Sequence, residues 1–292
     1  MRAMIGAAAA AMLALGVFGA APSLAADAKP DKPKDERILD LPPLPVDASI
    51  KQTVRIDGQA LAYTATVGSL PVRDAKGVKI GEVVYTAYVL DGPRAADRPV
   101  TFAFNGGPGA SSVYLNLGAI GPKRVQFGAL GDAPSDPARL VDNPGTWLGF
   151  TDMVFIDPVG TGFSRSLVGE EETKSTFFQV RGDIEYLSRI VFDWLVKNGR
   201  MAAPKYIVGE SYGGFRAPSI ARFLQTELGV GPSGVIMLSP FLDAHMQVGE
   251  DLSPMPWIVS LPSMAAAKLE REGRPLNAET LAEVEAYARG EF

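Results

Sequence analysis

The chain has 292 residues, a formal net charge of −5 and no cysteine. Without cysteine it can form no disulfide, thiol nucleophile or cysteine metal site, and the sequence gives no reason to expect a metal or another cofactor. The acidic charge comes without a basic block, which excludes nucleic acid as an expected partner.

Residues 1–25 have the pattern of a secretory signal peptide. Arg2 supplies positive charge, Ile5 to Phe18 form an apolar run, and small residues precede a cleavage point after Ala25 or Ala26. An uncleaved membrane anchor is the alternative, but the run is shorter than the ~20 apolar residues that a span needs. We therefore expect an exported protein, periplasmic or secreted, with no stable membrane anchor.

Residues 26–50 are rich in lysine, aspartate and proline and show no apolar periodicity. This composition predicts an extended linker that cannot bury a core, so the folded part is expected to begin near Lys51. From Gln52 to Leu90 the pattern favours antiparallel strands, with a hairpin turn at Asp57-Gly58.

From about residue 100 to residue 240 the chain alternates between strands and helices. The predicted strands are Val100 to Phe104, Thr151 to Asp157, Tyr206 to Val208 and Gly234 to Leu238, and the predicted helices are Thr176 to Asn198 and Phe215 to Leu228. This order implies an α/β fold with a mainly parallel sheet and helices on both faces. Residues 51–240 are thus predicted to form the N-terminal part of an α/β domain.

Residues 241–292 have a different character. The segment up to Pro262 is rich in methionine and proline, and Ser263 to Phe292 predict two short helices that are interrupted at residues 273–275. We interpret residues 241–292 as the start of a helical insertion, or cap, over the sheet.

The segment Gly209 to Gly213 matches the G-x-S-x-G pattern of a nucleophile elbow, with Ser211 at its centre. In such an elbow a strand turns at once into a helix and presents the serine Oγ above the sheet. The alternative is an ordinary turn after a strand, because the bare pattern also arises by chance. The strand before Ser211 and the helix after it favour the catalytic interpretation.

Three segments together resemble the serine carboxypeptidase family of α/β hydrolases. They are FNGGPGASS (104–112) with GAIGP (118–122), NPGTW (143–147) leading to FIDPVGTGFS (155–164), and GESYGG (209–214). The resemblance runs over about residues 50 to 245. It implies that Ser211 is the acylating nucleophile and that the backbone N–H groups of Gly107 and Tyr212 form the oxyanion hole.

The resemblance also implies a peptide substrate with a free C-terminal carboxylate. The residues that would bind this carboxylate are Asn105, Gly106 and Glu210. A glutamate binds another carboxylate only if the two share a proton, which favours acid conditions. Two positions depart from the family pattern: Ala119 stands where a second acid is common, and Ala103 stands where an aromatic residue is common.

A serine nucleophile needs a base, and the single histidine of the chain is His245. Asp243 lies too close to His245 in sequence to sit behind an imidazole that faces Ser211. We therefore expect the chain to be the N-terminal portion of a longer carboxypeptidase, truncated before the final strands, that is inactive without its C-terminal segment. The alternatives are a non-catalytic peptide-binding protein, and an esterase or acyltransferase on the same fold.

Overall fold

The computed structural model describes residues 37–92, 97–127, 139–247 and 253–292. The predicted signal peptide lies outside these residues, as does the predicted linker up to residue 36. The rest of the linker prediction needs correction, because Ile38 pairs with Val168 and packs against the core. The first strand begins at Ala48, and Asp47 accepts hydrogen bonds from the Ser69 backbone and from Lys197. Ordered structure therefore begins before Lys51.

Ten strands are described. They are β1 (Ala48–Ile56), β2 (Gln59–Arg73), β3 (Lys79–Leu90), β4 (Val100–Phe104), β5 (Lys123–Gln126), β6 (Arg139–Asp142), β7 (Asp152–Ile156), β8 (Arg165–Ser166), β9 (Lys205–Glu210) and β10 (Gly234–Leu238). Eight of them form one sheet in the order β1-β2-β3-β7-β4-β9-β10, with β8 paired to β3, and β5 pairs with β6 separately.

The sheet is mixed. Strands β7, β4, β9 and β10 are parallel neighbours, as predicted for residues 100 to 240. Strands β1, β2 and β3 pair antiparallel and join the same sheet through the antiparallel pair of β3 and β7. The carboxyl ends of β4, β7 and β9 therefore meet at one edge, where parallel sheets place their sites.

Six α-helices accompany the sheet. They are α1 (Glu170–Phe177), α2 (Val180–Lys197), α3 (Tyr212–Glu227), α4 (Ala244–Gln247), α5 (Met255–Arg271) and α6 (Ala278–Gly290). The single helix predicted from Thr176 to Asn198 is wrong, because the chain turns at Phe178 and Gln179 and divides it into α1 and α2. The helix predicted from Phe215 begins three residues earlier, directly after Ser211.

The two faces of the sheet have separate cores. On one face, Phe102 and Ile207 pack with Trp194 of α2 and with apolar residues of α3. On the other face, Ala103 and Val208 pack with a π-helical turn (Leu115–Ile120) and a 3-10 turn (Trp147–Gly149). Helical segments thus cover both faces, although α2 and α3 share one.

Helices α5 and α6 pack against each other, and no residue of α5 is buried in the part of the chain that the structure describes. Asn277 and Thr280 form a capping box that fixes the start of α6. The predicted interruption at residues 273–275 lies between the two helices. Across the described ranges, no helix is long and apolar enough to cross a membrane.

Candidate active site

Ser211 lies at the junction of β9 and α3, with φ 58° and ψ −121°. A side-chain-bearing residue rarely adopts a positive φ, and such strain persists only where the surroundings impose it. Here the Ser211 N–H donates to the Leu238 carbonyl at 3.0 Å, and the Ser211 carbonyl accepts from Gly214 at 2.9 Å and from Phe241 at 3.0 Å. Hydrogen bonds on both sides therefore hold the strained residue in place.

The flanking glycines are required by close backbone contacts. A Cβ atom on Gly209 would lie 1.7 Å from the Gly213 carbonyl oxygen, and one on Gly213 would lie 2.3 Å from the Phe104 carbonyl oxygen. Such separations leave no room for a side chain. The sharp turn from strand to helix thus depends on glycine at both positions of the pattern.

The loop after β4 lies against this turn. A Cβ atom on Gly106 would lie 2.6 Å from the Tyr212 nitrogen and 2.8 Å from the Ser211 Cβ. Gly107 follows with φ 102° and a cis peptide bond to Pro108. Within the described part of the chain, neither the Gly107 N–H nor the Tyr212 N–H is engaged in a hydrogen bond. Two such donors beside a serine can stabilise a developing oxyanion.

Asn105 and Glu210 lie side by side. The Asn105 Nδ2 donates to Glu210 Oε2 at 3.0 Å, and the Asn105 Oδ1 accepts the Leu115 N–H at 2.9 Å. Asn105 is buried and Glu210 is partly exposed. The structure thus brings together Asn105, Gly106 and Glu210, the three residues predicted to bind a carboxylate.

The two positions that depart from the family pattern add no acid to this group. Ala103 is fully buried in the core beside the π-helical turn. Ala119 lies on that turn, and its carbonyl accepts a hydrogen bond from Asn143 Nδ2 at 2.7 Å.

A buried ion pair beside the elbow was not anticipated from the sequence. Arg216 of α3 donates from Nε to Asp183 Oδ2 at 2.6 Å and from Nη2 to Asp183 Oδ1 at 3.2 Å, and from Nη1 to the Asn105 carbonyl at 3.1 Å. Its guanidinium also lies 4.9 Å from the centre of the Tyr212 ring. The pair links α2, α3 and the loop after β4. The sequence did contain a signal for this pair, because Asp183 and Arg216 each place a charge among the buried positions of a predicted helix.

Asp157, at the carboxyl end of β7, is a second residue that was not singled out. Its Oδ1 accepts the Ser112 N–H at 2.8 Å, and a Cβ atom on Gly162 would lie 2.1 Å from its Oδ2. Burial raises the pKa of the Asp157 carboxyl, while the Ser112 hydrogen bond opposes that shift. Asp157 therefore connects the two glycine-rich loops that follow β4 and β7.

His245 lies in α4, a few residues after Phe241. The Asp243 Oδ1 accepts the His245 backbone N–H at 2.9 Å, so this carboxylate caps the short helix. Among the described residues, no group of three acidic or histidine side chains is placed to hold a metal ion.

Comparison with known proteins identifies the family of the chain. The family model of serine carboxypeptidases matches residues 84–231, half of the chain. The chain is 31% identical over 173 residues to serine carboxypeptidase-like 50 of Arabidopsis thaliana. This alignment covers 59% of this chain and 35% of that protein. It is also 37% identical over 134 residues to the pheromone-processing carboxypeptidase KEX1 of Phaeosphaeria nodorum, in an alignment that covers 44% of this chain and 18% of that protein.

A solved structure is also similar. The prohormone-processing carboxypeptidase Kex1(delta)p of Saccharomyces cerevisiae superimposes with a TM-score of 0.50 at 23% identity, over 78% of this chain and 47% of that one. At this identity the likeness shows the fold. The chain spans less than half the length of each of these three relatives.

Proposed function

The chain belongs to the serine carboxypeptidase family and has the α/β hydrolase fold, and from this premise we propose that its site removes C-terminal residues from peptides through an acyl-enzyme on Ser211. The observation that carries the proposal is the strained Ser211 between β9 and α3, with Gly106 packed against it. Strain of this kind is typical of a residue held for function.

In the proposed reaction, the Ser211 Oγ attacks the carbonyl carbon of the last peptide bond and a base takes its proton. The carbonyl oxygen becomes an oxyanion that accepts hydrogen bonds from the N–H groups of Gly107 and Tyr212. The C–N bond then breaks, the amine leaves with a proton, and water hydrolyses the ester on Ser211.

Asn105, Gly106 and Glu210 bind the free carboxylate of the substrate in this proposal. The role of Asn105 is supported by its orientation. Its Oδ1 accepts the Leu115 backbone N–H, and this contact directs the Asn105 Nδ2 toward Glu210. Because Glu210 and the substrate carboxylate must share a proton, binding should strengthen toward acid pH.

The base is the least complete part of the site. The Asp243 Oδ1 accepts the His245 backbone N–H and caps α4, whereas a triad carboxylate accepts the imidazole N–H. We expect the 292-residue chain to act on peptides only at the slow rate that an oxyanion hole and substrate binding supply alone. His245→Ala should leave this rate unchanged. A fall of about 100-fold would instead identify His245 as the base.

A second candidate function, a non-catalytic module that binds peptide C-termini, is favoured by the same observation on Asp243. It shares Asn105, Gly106 and Glu210 but needs no chemistry at Ser211. We further propose that either function is exercised after export, on the evidence of the apolar run in residues 1–25.

Calorimetric titration of the Ser211→Ala variant tests the carboxylate site without turnover. N-acetyl-Phe-Ala should bind at least 10-fold more tightly than its C-terminal amide, because the amide has no carboxylate to bind. Glu210→Ala should remove most of that difference, because alanine offers the substrate carboxylate no hydrogen-bond donor. Equal affinities for acid and amide would contradict the proposal. Hydrolysis of the same dipeptide by the chain with Ser211 intact then separates an enzyme from a binding module.

A further inference from the structure

The backbone carbonyl of Asn105 is contacted from one side by helix α3. Its oxygen accepts a hydrogen bond from Arg216 Nη1 at 3.1 Å, and a Cβ atom on Gly213 would lie 3.0 Å from it. Arg216 is 3% exposed and Asn105 is 1% exposed. The hydrogen bond between them therefore lies in the interior, where it is stronger than at a surface in contact with water.

Arg216 is itself held in one orientation. Asp183 of α2 accepts from its Nε at 2.6 Å and from its Nη2 at 3.2 Å, which leaves Nη1 for the Asn105 carbonyl. The guanidinium also lies 4.9 Å from the centre of the Tyr212 ring. Because the donors of a planar guanidinium point in fixed directions, the two hydrogen bonds to Asp183 set the direction of the third.

The direction of the Asn105 carbonyl determines the direction of the Gly106 N–H. Both groups belong to one trans peptide unit, which is planar, so they point in opposite directions. The hydrogen bond from Arg216 turns the carbonyl toward α2 and α3, and the Gly106 N–H therefore points away from these helices. Among the described residues, none accepts a hydrogen bond from this N–H, which leaves it available to a ligand.

The side chain of Asn105 is held from the opposite face of the sheet. Its Oδ1 accepts the Leu115 N–H at 2.9 Å, and Leu115 belongs to the core beside the π-helical turn. Two contacts thus orient two donors of the proposed carboxylate site. The Leu115 contact directs the Asn105 Nδ2, and the Arg216 contact directs the Gly106 N–H.

We propose that Arg216 is a positioning residue of the carboxylate site, and that it acts through the Asn105 carbonyl to direct the Gly106 N–H toward the C-terminal carboxylate of a bound peptide. The inference rests on the proposed function, because it takes the carboxylate ligand from there. Arg216 does not touch the substrate in this role. Its charge is paired with Asp183, so it acts by geometry and not as a counter-ion of the substrate.

Calorimetric titration in the Ser211→Ala background tests the inference, with N-acetyl-Phe-Ala and its C-terminal amide as ligands. Asp183→Leu with Arg216→Met removes the guanidinium together with its buried partner, so no uncompensated charge remains. A hydrogen bond to a charged group is worth about 10-fold or more in affinity, and one to a neutral group about 3-fold. The preference for acid over amide should therefore fall at least about 3-fold.

Asp183→Asn with Arg216→Gln is a second variant, which keeps a polar but uncharged pair. Glutamine is too short to bond the residue at 183 and the Asn105 carbonyl together, so the same fall is expected. Leu224→Ala is the matched control, because Leu224 is a buried residue of α3 in the same core and its truncation destabilises the protein. It should leave the preference unchanged. Thermal unfolding shows that each variant is folded at the temperature of titration.

The outcomes separate the two proposals. A preference for acid that survives in either folded double variant, or that falls equally in Leu224→Ala, would overturn the role of Arg216 and leave the proposed function standing. Equal binding of acid and amide by Ser211→Ala itself, or no binding of either, would overturn the proposed carboxylate site and the role of Arg216 with it.

Discussion

Asp183→Asn is expected to destabilise the protein more than any surface substitution on α2. The side chains of Asp183 and Arg216 are 7% and 4% exposed, and the shorter of their two hydrogen bonds is 2.6 Å. Removing one partner of a buried pair leaves an uncompensated charge and costs about 3–5 kcal/mol of the free energy of unfolding. For a domain of this size that corresponds to a fall in Tm of roughly 6–20 °C.

Thermal and urea unfolding of the 292-residue chain at pH 7 measure this loss. The control is Glu185→Gln on the same helix, where Glu185 and Arg189 form an exposed pair at 3.2 Å. That variant should lie within about 0.5 kcal/mol of wild type. The double variant Asp183→Leu with Arg216→Met removes both charges and should be more stable than Asp183→Asn. A loss below about 1 kcal/mol for Asp183→Asn would refute the reasoning.

Two further expectations concern pH and the elbow. Although burial works to raise it, hydrogen bonds from Lys79 and Arg165 lower the pKa of Glu82 below its ordinary value of 4.5. The ionised Glu82 carboxylate therefore stabilises the folded protein above about pH 5, and this stabilisation is lost as the pH falls through the lowered pKa. The difference in urea midpoint between wild type and Glu82→Gln should accordingly shrink from pH 7 to pH 4. A constant difference would contradict this. Gly106→Ala should lower the free energy of unfolding by about 1–3 kcal/mol, because its Cβ meets backbone atoms of the elbow. Gly118→Ala is the control and should not lower the free energy of unfolding, because a Cβ atom on Gly118 would have open space around it. Equal melting temperatures for the two variants would contradict the packing argument.

The strands of the parallel part were predictable because each is a short apolar run with clear ends. Val100 to Phe104 follows Pro99 and precedes Asn105-Gly106, and Gly234 to Leu238 is equally well bounded; both have the predicted limits. The elbow was predictable because glycine at fixed spacing is a steric requirement that the sequence displays directly.

The division of the helix at Phe178 was not predictable from periodicity. No proline marks the turn, and the glycine that permits it is Gly182, inside α2. The turn depends on tertiary contacts, with Phe177 in the core and Phe178 packed over Gly160. The Asp183–Arg216 pair was missed for a similar reason, because its partners come from two helices that only the fold brings together.

The central claim is that Ser211 is the nucleophile, and mapping the site of fluorophosphonate modification tests it most directly. After prolonged reaction with excess probe and digestion with trypsin, mass spectrometry should find the adduct on the peptide Tyr206 to Arg216. Ser219→Ala, which changes another serine of α3, should leave that adduct in place, and Ser211→Ala should abolish it. An adduct that forms preferentially on another serine of the wild-type protein, or persistence of the adduct on this peptide in Ser211→Ala, would contradict the claim.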